Sequence, residues 1–174
     1  VTEEGRTVFL HHRNRCKNFP GYEQLYGIRS MTKAGDVIAL ASSDGIFTFK
    51  DNVAAPETIR FYHSRRINDD PHSLASNGTL SVNYIEGRGL YVCSSHAGLC
   101  RVTSDRLLQD NLQFETWNTD AGAPSDRTLQ AFADSNGQLW VIFEKGLSKL
   151  DTNSMTSVDY MTDSITHTWS SPVR

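Results

Sequence analysis

Catalytic and metal-binding chemistry has little support among the residues of this 174-residue sequence. His11 and His12 would point to opposite faces of a strand, so they make a poor shared metal site. The Asp-Asp-Pro-His run at 69–72 lacks the remaining ligands of such a site. The Ser-Ser-His run at 94–96 is not a nucleophile elbow, and no pair of carboxylates for glycoside cleavage can be assigned from spacing. We therefore predict no catalytic residue, no metal and no cofactor.

Side chains that could bind a ligand are spread over several loops. Arginine suits the carboxylate or sulfate groups of an acidic sugar, and an aromatic ring suits the face of a sugar ring. The alternative role of the polar residues is a turn or a hydrogen bond between structural units. An exposed aromatic residue can also lack any ligand, because such residues are common. The candidate ligand-binding residues are Arg29, Asn77, Asp126, Arg127 and Trp169.

A repeated pattern indicates which elements must position these residues. An apolar strand, a short turn and a glycine that opens a second strand occur three times, with the glycines at Gly45, Gly98 and Gly146. These glycines are 53 and 48 residues apart. A period of roughly 40–50 residues with several strands per unit is typical of a β-propeller, in which loops entering the inner strands usually present ligand groups. Trp140 is predicted to pack between two such units.

Each unit can be divided into four strands, which predicts an all-β fold. The inner strands are predicted at 27–31, 80–85 and 128–133, and the outer strands at 59–62, 114–117 and 158–161. Further strands are predicted to flank the units, at 7–12 and 165–169. The prediction is therefore a single fragment, residues 1–174, of a partial β-propeller with three four-stranded blades at about 25–70, 74–120 and 125–165.

Three blades do not close a ring, because propellers have about four to eight. An open stack also leaves exposed edges that invite pairing. The chain is predicted to need either the remainder of a larger propeller or a second copy in a homodimer. The N-terminal valine also favours a piece of a longer protein.

Charge and hydropathy exclude two classes of partner. The net charge is −3 and the sequence contains no basic patch, so nucleic-acid binding is not predicted. It also contains no apolar run of about 18 residues, so no contact of this segment with a membrane is predicted.

The three cysteines show no metal-ligand spacing. A two-residue turn at His96 and Ala97 would place Cys93 directly opposite Cys100. That arrangement leaves two alternatives open, a disulfide between them or two part-buried free thiols.

The repeats resemble the two-component regulator propeller repeat. The match is best from Ser125 to Trp140, which includes Asp134 and Gly137, and continues from Gly146 to Asp151. In the second unit Leu74 and Asn77 fit, and Tyr91 replaces the tryptophan. In the first unit Ile38 stands at the tryptophan position.

This resemblance implies a periplasmic sensor. Such propellers form the ligand-sensing part of membrane-anchored histidine kinases, including hybrid two-component sensors that detect oligosaccharides. The fragment is then expected to be non-catalytic and to bind an oligosaccharide, with a histidine kinase as its parent protein. The alternatives are a fragment of a carbohydrate-active propeller enzyme and a protein-interaction scaffold.

Overall fold

The chain forms three four-stranded antiparallel sheets, which confirms the all-β prediction. The computed structural model describes residues 2–3, 6–7, 25, 27–52, 54–144, 146–151 and 156–159. The first sheet has the order β3 (Ser30–Ala34), β4 (Val37–Ser42), β5 (Gly45–Lys50) and β6 (Tyr62–Ser64). The second has β7 (Thr79–Ile85), β8 (Gly89–Ser94), β9 (Leu99–Val102) and β10 (Phe114–Trp117). The third has β11 (Thr128–Ala133), β12 (Leu139–Phe143), β13 (Gly146–Asp151) and β14 (Thr156–Asp159).

Two minor features complete the described part of the chain. A short hairpin pairs β1 (Thr2–Glu3) with β2 (Arg6–Thr7). Two 3-10 helical turns, Pro56–Thr58 and Thr119–Ala121, are the helical elements among the described residues. Of the flanking strands predicted at 7–12 and 165–169, residues 8–12 and 165–169 lie outside the described residues, and Thr7 ends β2.

The predicted strands of the second and third units agree with the structure to within a residue or two. In the first unit the inner and outer strands begin three residues later than predicted: the inner strand is Ser30–Ala34 rather than 27–31, and the outer strand is Tyr62–Ser64 rather than 59–62. The 3-10 turn at Pro56–Thr58 occupies the residues just before the predicted outer strand, so the outer strand begins later. Ile59, only 2% exposed, packs into a core cluster and does not pair with β5.

Two apolar clusters join the three sheets. Between the first and second sheets, Ala39, Ala41 and Ile46 pack against a face of the second sheet that includes Val82, Leu90 and Val92. Between the second and third sheets the cluster contains Tyr91, Cys93, Leu99, Trp117, Ala131, Leu139, Val141 and Phe143. The rings of Trp117 and Phe143 meet edge to face, with centroids 5.6 Å apart. The second sheet is therefore apolar on both faces, which explains why β8 is almost continuously buried.

A threonine hydroxyl at the start of β7, and another at the start of β11, forms hydrogen bonds with the backbone of the preceding sheet. The Thr79 hydroxyl accepts a hydrogen bond from the Ser42 amide at 2.9 Å and lies 2.8 Å from the Ser42 carbonyl oxygen. One repeat later, the Thr128 hydroxyl accepts from the Ser94 amide at 2.9 Å and donates to the Gly98 carbonyl at 2.8 Å. Both threonines are fully buried. We call this repeated arrangement the hydroxyl clamp.

Glycine is required where the hairpin of one sheet meets the end of its own outer strand. Gly45 has a φ of 91° and Gly98 a φ of 84°, both in the left-handed region. A Cβ atom on Gly45 would lie 2.3 Å from the Ser64 carbonyl oxygen, and one on Gly98 would lie 2.2 Å from the Trp117 carbonyl oxygen. The repeated glycines therefore reflect close backbone packing as well as turn conformation.

The inner strands of neighbouring sheets lie side by side. The Ser30 hydroxyl bonds to the Val82 backbone, and the Tyr84 amide donates to the Thr32 hydroxyl at 3.1 Å. The Ser81 hydroxyl donates to the Leu129 carbonyl at 2.8 Å. These contacts bring β3, β7 and β11 together along one side of the three sheets, which we call the inner edge.

The predicted pairing of Cys93 with Cys100 is wrong by one residue. The turn contains three residues, because the Ser94 amide bonds to the Gly98 carbonyl, and Cys93 therefore pairs with Leu99. Alternation then sends the two thiols to opposite faces: Cys93 lies in the cluster shared with the third sheet and Cys100 in the cluster shared with the first. Both are free and buried.

Removal of the hydroxyl clamp should destabilise the fold. We expect Thr128→Val to lower the free energy of unfolding by about 1–3 kcal/mol, because the buried Ser94 amide loses the shorter of its two hydrogen bonds and the Gly98 carbonyl loses a donor. Thr128→Ser keeps the hydroxyl and should lose less. Urea unfolding followed by tryptophan fluorescence measures both, and a valine variant no less stable than the serine variant would contradict the clamp.

The buried cysteines should be unreactive in the folded protein. Burial raises the pKa of Cys93 to about 12 and also raises the pKa of Cys100, so neither forms the reactive thiolate near neutral pH. In a Cys16→Ser background, a thiol reagent should modify both cysteines only after denaturation. If neither reacts in denaturant without a reductant, the two thiols are joined by a disulfide and the described register is wrong.

Candidate ligand surface

Three of the five sequence-predicted residues, Asn77, Asp126 and Arg127, lie where the chain passes from one sheet to the next, and Arg29 lies directly before the first inner strand. The linkers 65–78 and 118–127 run from an outer strand to the following inner strand, and the β4–β5 and β8–β9 turns lie beside them. We call this side of the molecule the linker end. Trp169, the fifth candidate, lies outside the described residues.

Asn77 and Asp126 occupy equivalent positions in the two linkers. The backbone carbonyl of Asn77 accepts from the Gly45 amide at 2.7 Å, and that of Asp126 accepts from the Gly98 amide at 2.7 Å. The Asn77 Oδ1 atom accepts from the Arg66 amide and the Asp126 Oδ1 atom from the Thr119 amide, each at 2.7 Å. Both side chains thus order their own linkers, one repeat apart, and the structure does not join them in one site.

The two arginines also contact the protein. The Arg29 guanidinium donates to the Thr79 carbonyl at 3.1 Å, which links the start of the first inner strand to the second. Arg127 and Glu144 form an ion pair at 3.4 Å with about half of each side chain exposed. A pair so exposed contributes little to stability, so the Arg127 guanidinium can exchange Glu144 for an anionic ligand at small cost.

A polar cavity at the linker end was not predicted from the sequence. It has a volume of about 400 Å³ and lies between the first linker and the end of β10. Its charged lining residues are Arg66, Asp69 and Asp70, which the sequence places in a charged loop with no sign of concavity. The fold of this loop depends on Asp69, which has a φ of 66°, and on Asp70, whose Oδ1 accepts from the His72 amide at 2.9 Å.

A second concave surface runs along the inner edge. This groove has a volume of about 350 Å³, and its lining includes Thr32, Asn83, Tyr84, Glu86, Gln130 and Phe132. Tyr84 is 38% exposed and Phe132 39% exposed, although both lie in regular strands. Large exposed aromatic side chains beside amide groups form the kind of lining that binds a small polar molecule with an apolar face.

Sequence reasoning missed the groove because it treated the inner strands only as structural elements. One feature of the sequence could have indicated the groove. Strands β7 and β11 each carry a side-chain amide close to an aromatic residue, with Asn83 beside Tyr84 and Gln130 two residues before Phe132. Strand alternation alone does not show that two such strands, 49 residues apart in sequence, adjoin at one groove.

The described residues contain neither a candidate metal site nor a candidate membrane-spanning helix. No group of three or more histidine, cysteine, aspartate or glutamate side chains is arranged to hold a metal ion among them. Within the same residues, no helix has the length and hydropathy needed to span a bilayer.

Comparison with known proteins identifies the fold. The chain superimposes with a TM-score of 0.62 on the extracellular domain of a Bacteroides protein, from B. thetaiotaomicron, that is assigned as a hybrid two-component system. The two share 23% sequence identity, and the match covers 77% of this chain but only 18% of that domain. The structural neighbour thus agrees with the sequence resemblance, and this chain spans less than a fifth of its length.

Weaker similarities point to a second protein of the same organism. Its extracellular domain, in two crystal structures assigned as a hybrid two-component and a one-component system, matches with TM-scores of 0.41 and 0.39 at 12% identity. The matches cover 76% and 78% of this chain and 25% of that domain. No model of a known protein family and no curated protein sequence matches the chain.

Asp126 should contribute more to stability than its neighbour Arg127. We expect Asp126→Ala to cost about 0.5–1.5 kcal/mol through loss of the hydrogen bond to the Thr119 amide, whereas Asp126→Asn keeps an acceptor oxygen. Arg127→Ala should change stability by less than about 0.5 kcal/mol. Chemical denaturation of the three variants measures this order, and equal losses for Asp126→Ala and Arg127→Ala would argue against the linker role of Asp126.

Proposed function

We propose that this chain is a ligand-sensing segment from the extracellular or periplasmic part of a two-component sensor histidine kinase. The observation that carries the proposal is the agreement between the sequence repeats and the fold neighbour with a TM-score of 0.62, which is such an extracellular domain. The segment itself is non-catalytic in this proposal, and the kinase belongs to the parent protein.

The three sheets are proposed to be successive blades of a β-propeller. The same register, the same hydroxyl clamp and the same linker contact recur at both junctions, so the step from each sheet to the next is repeated. The inner strands also adjoin, as they do around a propeller axis. A ring of four to eight blades then requires more sheets than these three, from the remainder of the propeller or from a second copy.

The proposed ligand is an oligosaccharide. The inner-edge groove offers the exposed rings of Tyr84 and Phe132, which can stack on apolar sugar faces, and the amides of Asn83 and Gln130, which can bond to hydroxyl groups. Arg29 and Arg127 lie at the linker end, where their guanidinium groups suit a carboxylate or sulfate on an acidic sugar.

The groove favours binding over sugar cleavage. Glycosidases of the common types use two carboxyl groups on opposite sides of the scissile bond. Among the described residues that line this groove, Glu86 supplies the one carboxylate, so the groove lacks the second carboxyl group that such an enzyme uses.

The proposed mechanism is signalling by a change in assembly. Ligand binding shifts the placement of one protomer relative to another and stabilises one signalling state.

Substitution in the groove should weaken sugar binding selectively. In calorimetric titrations with a panel of neutral, carboxylated and sulfated oligosaccharides, we expect Tyr84→Ala and Phe132→Ala each to weaken binding about tenfold, which is 1.4 kcal/mol. Arg127→Ala should weaken only the binding of acidic members. Val158→Ala is the matched control, because Val158 is 58% exposed and is not among the groove residues.

Two results would count against this proposal. Binding that is unchanged by both aromatic substitutions would place the ligand elsewhere on the molecule. The folded protein, with its solution mass known from light scattering, could also fail to bind every oligosaccharide in the panel. That result would contradict carbohydrate sensing by this segment.

A further inference from the structure

The cavity at the linker end contains charged residues that form no ion pair within the described part of the chain. Arg66, Asp69 and Asp70 all line it, which gives the lining one positive and two negative charges. No salt bridge joins these three residues to one another or to any other described residue. A ligand can therefore bind these groups without first displacing a protein partner.

Local hydrogen bonds fix the loop that carries these charges. The Asp70 amide donates to the Ile67 carbonyl at 3.3 Å, and Asp69 lies in the turn between them with a φ of 66°. The Ser73 hydroxyl accepts from the Ile67 amide at 3.0 Å and donates to the Asp70 carbonyl at 2.8 Å. The Arg66 amide donates to a side chain of the same linker. The backbone at all three charged residues is thus set before a ligand binds, which lowers the entropic cost of binding.

The remaining lining combines apolar surface with hydrogen-bonding groups of the second sheet. Ile67, which is 39% exposed, and Ala75 supply apolar surface. Thr116 of β10 and Asn118, just after that strand, supply polar groups. The Asn118 Oδ1 atom accepts from the Ala121 amide at 3.1 Å, and its Nδ2 group forms no hydrogen bond with another described residue. The cavity volume of about 400 Å³ lies in the range of sites for small molecules.

The charge balance of the cavity indicates the class of ligand. A neutral sugar would leave all three charges without a counter-charge, and a sulfated or carboxylated sugar would meet two carboxylates of like charge. A neutral amino acid would match Arg66 and only one aspartate. A basic α-amino acid carries one carboxylate and two cationic groups at neutral pH, so it matches the guanidinium group and both carboxylates.

We propose that the cavity at the linker end binds a free basic α-amino acid, such as lysine or arginine. Arg66 and Asn118 donate to the carboxylate of the ligand, since a guanidinium group suits the planar geometry of a carboxylate. Asp69 and Asp70 accept from its α-ammonium group and from its side-chain cation, and its carbon chain lies on Ile67. This site is separate from the inner-edge groove, because the two share no described lining residue, and it does not depend on oligosaccharide binding.

A ligand in this cavity would contact two parts of the fold at once. The charged residues belong to the first linker, which leaves the first sheet, whereas Thr116 belongs to the second sheet. A molecule that binds only the folded protein stabilises it in proportion to how far its concentration exceeds the dissociation constant. Lysine should therefore raise the melting temperature of the protein in a concentration-dependent way.

The first test compares lysine with two analogues by calorimetric titration of the full 174-residue chain. The titration is done at low ionic strength, because salt screens contacts between exposed charges. Cadaverine lacks the carboxylate, and norleucine lacks the side-chain ammonium group. We expect each analogue to bind about fivefold more weakly than lysine, or weaker still, because each loses one of the charge contacts.

Two results of this comparison would overturn the proposal. Cadaverine that binds as tightly as lysine would show a surface that attracts any cation. No heat of binding and no shift in melting temperature at about 10 mM lysine or arginine would show that the cavity does not take this class of ligand.

Substitutions then assign the contacts. Arg66→Gln should weaken lysine binding about tenfold and leave the weaker binding of cadaverine unchanged, since cadaverine has no carboxylate. Asp69→Asn should weaken the binding of both by a similar factor, and asparagine tolerates the left-handed conformation of this residue.

The β9–β10 loop offers matched controls. Arg106→Gln and Asp105→Asn remove the same charges from exposed residues that do not line the cavity, so neither should change lysine binding. Equal effects of Arg66→Gln and Arg106→Gln would show that only the overall charge of the protein matters, and they would contradict the assigned site.

Discussion

Each of the three four-stranded sheets carries apolar residues on both faces, and the architecture follows from that constraint. The second sheet presents Val82, Leu90 and Val92 to the first sheet and Tyr91, Cys93 and Leu99 to the third. A sheet of this kind requires packing on both faces, because exposure of either face would leave large apolar surfaces in water. Stacking of equivalent sheets face to face buries these surfaces, whereas pairing across sheet edges would leave them exposed.

The polar contacts keep this stack in register. Apolar packing is non-directional, so by itself it tolerates sliding of one sheet over the next. The Thr79 and Thr128 hydroxyls satisfy buried backbone groups of the preceding sheet at one relative position only. The linker carbonyls of Asn77 and Asp126 add a bond to the Gly45 and Gly98 amides, and glycine is needed there because the outer strand approaches too closely for a side chain.

The sequence predicted those features that depend on local chemistry. Apolar runs and turn glycines are local signals, so the twelve strands of the three sheets were assigned in the correct order. One error arises where a single residue shifts a register: the β8–β9 turn has three residues instead of two, which separates Cys93 from Cys100. The sequence predicts Asn77 and Asp126 as candidate ligand-binding residues, but only the structure shows that their side chains accept hydrogen bonds from linker amides. The groove joins distant strands, so no local pattern could locate it.

The inner-edge groove and the cavity at the linker end differ in how rigid their backbones are. The inner-edge groove is built on strands that hydrogen bonds between sheets hold together, so the backbone positions of its aromatic residues are fixed. The cavity at the linker end is bounded by a loop that depends on the left-handed Asp69 and on a few local hydrogen bonds. A rigid groove can supply affinity, because little ordering is needed on binding. A loop that also bridges two sheets can instead convert contact with a bound molecule into a change in how the sheets are placed, which would suit the sensor role proposed above.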